Sequence, residues 1–118
     1  MRVMVVGGDG YCGWPTALRL SSLGHDIIIV DNYSRRRIGE ELGVQSLVPI
    51  SSLEERVSAW AEIVGAAISV HEIDVAENYA ALTSLVSETR PDAVIHFGEQ
   101  RSVPYSMMDP SAAARPKT

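Results

Sequence analysis

Short apolar runs alternate with stretches of helical spacing along the chain, separated by polar or glycine-rich positions. Val3 to Val6 is an apolar run stopped by Gly7 and Gly8, the pattern of a strand covered on both faces. Over residues 11–23, Ala17, Leu18, Leu20 and Leu23 fall on one side of a predicted helix. Pro15 stands near its first turn, where a missing N–H costs nothing, and Gly24 suits its C-terminal cap. Ile27 to Val30 is a second apolar run and ends at Asp31. Strand, helix and strand thus follow in about thirty residues, the size of a βαβ unit.

Residues 32–50 carry polar and glycine signals and predict no regular element. Ser51 and Ser52 then stand three positions before Glu54 and Glu55, a capping-box arrangement opening a helix that runs to about Val64. Leu53, Val57, Trp60 and Val64 form its apolar stripe. Ile68 to Ile73 predicts a third strand. Asp74 or its neighbours open a helix whose inner face is Tyr79, Leu82, Leu85 and Val86. Pro91 closes that element, and Ala93 to Phe97 predicts a fourth strand. Alternating strands and helices with continuous apolar strands imply an α/β fold, a Rossmann-like doubly wound parallel sheet of about four strands with flanking helices.

Composition narrows the function classes. The chain has 118 residues, enough for one small domain, with 46% hydrophobic and 21% charged residues, an ordinary globular balance. A net charge of −5 gives no electrostatic reason to expect nucleic acid or an anionic membrane surface. The ten basic residues are nine arginines and one lysine, and their only cluster, Arg35 to Arg37, is the size to hold one phosphate. A single cysteine, Cys12, permits no internal disulfide and fits a reducing cytoplasm. The N-terminal apolar run is too short for a signal peptide or a membrane span. After Pro110 the composition shifts to SAAARPKT, so residues 110–118 read as a frayed tail beyond a folded segment of residues 1–109.

The strongest local signal is VVGGDGYCG, where Gly7, Gly10 and Gly13 have the spacing G-x-x-G-x-x-G between a strand and a helix. That spacing allows a sharp turn, close approach of backbone to a pyrophosphate and tight helix packing, with the amides of Tyr11 and Cys12 facing the phosphates. Three glycines in seven residues also fit a plain tight turn. Asp31, eighteen residues after Gly13, stands near the offset of an acid that holds an adenosine ribose, and its carboxylate disfavours a 2′-phosphate, so NAD is preferred to NADP. The arginines after it pull the other way, since they are able to take that phosphate. Asp74 is either a helix cap or a crevice residue. His96 reads as a satisfied core histidine, Cys12 as a packing residue, and Trp14 and Trp60 as packing. No metal site is expected. At the end of the fourth strand, FGEQRS sets Glu99, Gln100 and Arg101 at the crevice, a better place for a ligand site than for a polar turn.

With G-x-x-G-x-x-G, Asp31 and the V-I-H-F strand in place, the chain resembles the extended short-chain dehydrogenase/reductase family, which includes nucleotide-sugar epimerases and dehydratases. FGEQRSVPYSM, GGDGYCGW, VDNYSRRR and LVPISSLEERVSAW are similar to the sulfolipid head-group branch of that family, the UDP-sulfoquinovose synthases. The resemblance implies an NAD enzyme that oxidises UDP-glucose at C4, eliminates water across C5 and C6, adds sulfur from sulfite or a sulfite donor at C6, and returns the hydride. By position it implies that Gly7, Gly10, Tyr11, Cys12 and Gly13 cradle the pyrophosphate and that Asp31 and Asn32 take the adenosine ribose. Arg35 and Arg36 would lie over the adenine or its ribose, with Asp74 and Val75 flanking the adenine. Gly98, Glu99 and Gln100 would line the nicotinamide side, and Arg101 would reach the substrate phosphate or sulfite. A homo-oligomer is implied for the full-length enzyme. The family's Tyr-x-x-x-Lys pair is absent: the residues four places after Tyr11, Tyr33, Tyr79 and Tyr105 are Pro15, Arg37, Thr83 and Asp109, and the lone lysine is Lys117. No catalytic residue is therefore expected within these 118 residues, which read as the N-terminal part of a larger enzyme.

Overall fold

The two most continuous apolar runs become the two central strands of the computed structural model, β1 (Arg2–Val6) and β2 (Asp26–Asp31). They are flanked by β3 (Ile68–Glu72) and β4 (Ala93–His96) in one parallel sheet of order β3-β2-β1-β4. The structure describes residues 1–43, 47 and 49–98, with the side chain of Arg35 outside that set. Among the described residues four helices connect the strands: α1 (Gly13–Ser22) after β1, α2 (Ser34–Glu41) and α3 (Leu53–Val64) after β2, and α4 (Tyr79–Thr89) after β3.

Because side chains alternate across a strand, β1 and β2 feed two cores. Val3, Val5, Ile27 and Ile29 pack with Ala17 of α1, Leu53 of α3 and Ile68 on one face. Met4, Val6, Ile28 and Val30 meet Leu85 of α4 on the other. Burial on both faces explains why these strands read as unbroken apolar runs. Register brings their ends level: Val6 pairs with both Val30 and His96, so Gly7, Asp31 and Phe97 leave the sheet at the same edge.

Ser52 caps α3 as its sequence implies, its hydroxyl accepting the Glu55 N–H at 3.2 Å. Leu53, Val57 and Trp60 face the core, and Trp60 Nε1 donates to Ser21 Oγ of α1 at 2.9 Å, pinning the two helices together. Ser52→Ala leaves the Glu55 N–H without that acceptor and should cost about 1 kcal/mol, visible as a lower urea midpoint with unchanged slope.

Several expectations are corrected. The 32–50 segment contains a helix, α2, which the polar sequence SRRRIGEE conceals. The helix after β3 starts at Tyr79, capped by Asn78, because Asp74 spends its carboxylate on a preceding turn through the Ala76 and Glu77 N–H groups. Val64, Tyr79 and Val86 are exposed rather than inward. Among the described residues β4 lies at the sheet edge with Val94 55% exposed, and His96 is exposed rather than a core residue; its Nδ1 accepts the Gly98 N–H at 3.1 Å.

Candidate functional site

The edge where β1, β2 and β4 end carries the glycine loop. Gly7 adopts a φ of +88° and its N–H donates to Val30 O at 2.8 Å, turning the chain sharply off β1. A side chain there would also strike the Phe97 carbonyl carbon at 2.9 Å, so the loop and the end of β4 are in backbone contact. A Cβ on Gly13 would sit 2.1 Å from the Gly7 carbonyl oxygen, which locks the first turn of α1 onto the loop. At Gly10 a Cβ would meet, among the described residues, only that oxygen, at 3.3 Å. No side chain makes a capping bond at the N-terminus of α1 and no acid stands in its first turn. Among the described residues, the positive end of the helix dipole is thus neutralised by no acid of the helix's own first turn, which suits a phosphate. Tyr11, at the loop tip, is 79% exposed, and Cys12 is exposed beside it.

Asp31 ends β2 at 3% exposure, and both of its oxygens work for the backbone. Oδ2 accepts the Asp9 N–H of the glycine loop at 2.8 Å, and Oδ1 accepts the Tyr33 N–H at 2.7 Å. Burial raises the carboxyl above its ordinary value of 3.8, opposed by bonds from the Asp9, Tyr33 and Asn32 amides and aided by the nearby charge of Asp9. Tyr33 reaches its partner by adopting a left-handed backbone, φ 57° and ψ 25°, immediately before α2. Its phenol donates to Glu54 Oε1 at 2.9 Å, and burial together with that carboxylate raises its pKa.

One part of the site carries no local signal in the sequence. Asp9, inside the glycine motif and 5% exposed, accepts Arg36 Nε and Nη2, each at 2.7 Å, from α2, and Arg56 Nη2 from α3. Arg36 Nη2 also donates to Ser51 O at 2.9 Å, and Arg56 lies 4.8 Å from the Trp14 ring. The Nε and Nη2 edge of the Arg36 guanidinium is thus held by Asp9 and Ser51. An acid flanked by glycines looks like a turn former, so only a scan for distant arginines would have marked it.

The remaining expected residues divide into two groups. Asn32 bridges strands: its Nδ2 donates to Asp74 Oδ2 at 3.0 Å and its Oδ1 accepts the Ser34 N–H at 2.9 Å. Asn32 and Asp74 therefore stand together at the ends of β2 and β3, and Val75 packs on the α4-side core beside them. Gly98 is buried and adjoins Gly7. Arg35 lies in α2, and its side chain, like Glu99, Gln100 and Arg101 as a whole, is outside the described residues. So the glycine loop, Asp31, Asn32, Arg36, Asp74, Val75 and Gly98 line one sheet edge.

A parallel sheet whose first strand-to-helix turn is a glycine loop, with an acid ending the next strand, defines a Rossmann-type dinucleotide-binding unit. The chain belongs to the NAD dependent epimerase/dehydratase family, whose sequence model matches residues 3–117. It is 49% identical to the chloroplastic UDP-sulfoquinovose synthase of Spinacia oleracea over 112 residues, which are 95% of this chain and 23% of that protein. It is 46% identical to the UDP-sulfoquinovose synthase of Sulfolobus acidocaldarius over 109 residues, 92% of this chain and 28% of that one. The chain thus spans about a quarter of the length of these curated relatives. Among solved structures, the UDP-glucose 4-epimerase of Bifidobacterium longum in complex with NAD+ and UDP superposes with a TM-score of 0.72 at 26% identity, covering 96% of this chain and 29% of that one. No described helix is long and apolar enough to cross a membrane.

Proposed function

We propose that this chain is the NAD-binding segment of an enzyme that converts UDP-glucose and sulfite, or a sulfite donor, to UDP-sulfoquinovose. The observation that carries the cofactor reading is Asp31, buried at the end of β2 and hydrogen-bonded into the glycine loop. From that position its remaining lone pairs face the place of an adenosine ribose, while the loop amides and the α1 terminus suit the pyrophosphate. On the resemblance, Arg36 lies over the adenine or its ribose with Asp74 and Val75 flanking the ring, and Gly98, Glu99 and Gln100 are assigned to the nicotinamide side. NAD supplies reversible hydride transfer at the sugar C4. Arg101 contacts a phosphate or the sulfur nucleophile. The identity to two sulfosugar synthases supports the substrate assignment.

Assay of the complete reading frame with UDP-glucose and sulfite tests this assignment: sulfosugar formation supports it, and release of a 4-epimer with no sulfur incorporated establishes the epimerase reading that the Bifidobacterium relative favours. Arg101→Ala in that protein should lower sulfosugar formation more than NAD retention. A homo-oligomer and a cytoplasmic location belong to the same proposal and are checked by light scattering and fractionation; the spinach relative is chloroplastic by name.

Ionised Asp31 accepts ribose hydroxyls in addition to its backbone donors, so NAD affinity should fall as Asp31 gains a proton. Because burial raises its pKa, the fall on acidification should have its midpoint above 3.8. Calorimetric titrations across the acid range should show it in the wild type and not in Asp31→Asn.

A further inference from the structure

Placing NAD at this edge does not explain why two separate helices each send an arginine onto one carboxylate inside the glycine loop. Asp9 is a poor choice of residue for a loop that must face phosphates, since its charge repels them. Its burial at 5% and its three guanidinium bonds turn that charge inward, away from the ligand. Arg36 is the arginine at stake. It follows β2 on the first turns of α2, where an uncommitted guanidinium would serve as a receptor for the 2′-phosphate of NADP. It also lies within electrostatic reach of Asp31, at the ribose end of the site. Instead, Nε and Nη2 are spent on Asp9, and Nη2 also on Ser51 O. The Asp9 N–H in turn bonds Asp31, so the two acids and the two arginines form one connected group whose formal charges cancel.

We propose that Asp9 is a specificity-determining residue: by drawing Arg36 and Arg56 onto the glycine loop it withholds the cation that a 2′-phosphate needs, so preference for NAD over NADP depends on Asp9 as well as on Asp31. The inference rests on the NAD reading above. Its consequence is a charge rule. Removing the Asp9 charge leaves a net cation beside the ribose and should favour NADP, whereas removing Arg36 leaves a net anion and should disfavour it further.

The test is titration of the wild type, Asp9→Asn, Arg36→Ala and the double variant with NAD and with NADP, with circular dichroism to check folding. Asp9→Asn should raise NADP affinity relative to NAD by roughly tenfold, the scale of one hydrogen bond to a charged group. The double variant should lose that gain, which a purely structural role for Asp9 does not predict. Equal weakening of both nucleotides in Asp9→Asn, or a gain that survives in the double variant, would overturn the inference. If Asp9→Asn does not fold, Arg36→Ala decides: a lower NADP-to-NAD ratio supports the proposal, and an unchanged or higher one overturns it. A wild type that binds neither nucleotide defeats the NAD reading itself, a result distinct from an unchanged preference.

Discussion

Gly13→Ala is expected to remove cofactor binding and to destabilise the fold together. The new Cβ would stand 2.1 Å from the Gly7 carbonyl oxygen and 2.9 Å from the Gly7 carbonyl carbon, both backbone atoms that no rotamer change relieves. Either α1 withdraws from the sheet or the loop opens, at a cost of roughly 2–3 kcal/mol. Either shift takes loop amides away from the pyrophosphate, and two hydrogen bonds to a charged group lost there lower NAD affinity by roughly a hundredfold or more. Gly10→Ala supplies the contrast. Its Cβ meets, among the described residues, one atom at 3.3 Å, so stability should change little, while the added methyl blocks the pyrophosphate. Denaturant melts and NAD titrations of the two variants separate the effects: stability drops only in Gly13→Ala, and binding drops in both.

Asp31→Ala is expected to show the second large effect, because the carboxylate does two jobs. In the fold it accepts the Asp9 and Tyr33 N–H groups, and the latter bond holds Tyr33 in the left-handed conformation from which α2 begins. Leaving two such donors without an acceptor costs about 2–5 kcal/mol in total. In the site it would accept the ribose hydroxyls, and two charge-assisted bonds lost there correspond to roughly a hundredfold or more in NAD affinity. Asp31→Asn, which keeps one acceptor oxygen, should fall between the wild type and Asp31→Ala in both measurements. Equal NAD affinity across the three proteins would remove Asp31 from the site.

What the sequence made legible follows from where each signal resides. β1 and β2 were readable because a strand packed on both faces has no polar positions to confuse its pattern. The glycine loop and Asp31 were readable because backbone geometry demands glycine at Gly7 and Gly13, and the next strand fixes the position of the acid. α2 was not, because SRRRIGEE has no apolar stripe; its start depends on Tyr33 and its anchorage on Arg36, both tertiary contacts. Asp9 was missed for a related reason. Its partners stand 27 and 47 residues away, beyond any local pattern. Trp60 packs on the core as its place in the apolar stripe implies, but its bond to Ser21, 39 residues away, leaves no local signal. Asn32 was expected at the ribose, yet its side chain is engaged with Asp74 and the Ser34 amide, because the ends of β2 and β3 need a polar bridge where the sheet stops. Glu99, Gln100 and Arg101, the residues most distinctive of the sulfosugar branch, lie outside the described residues, so their roles rest on the resemblance alone.

The central claim is that the edge formed by Gly7 to Gly13 and Asp31 holds NAD. Calorimetric titration of the protein with NAD, run in parallel on Asp31→Ala, tests it most directly. Saturable binding to the wild type with one site per chain, weakened at least a hundredfold in the variant, is the predicted result. Absence of binding to the folded wild type, or equal binding to both proteins, would contradict it.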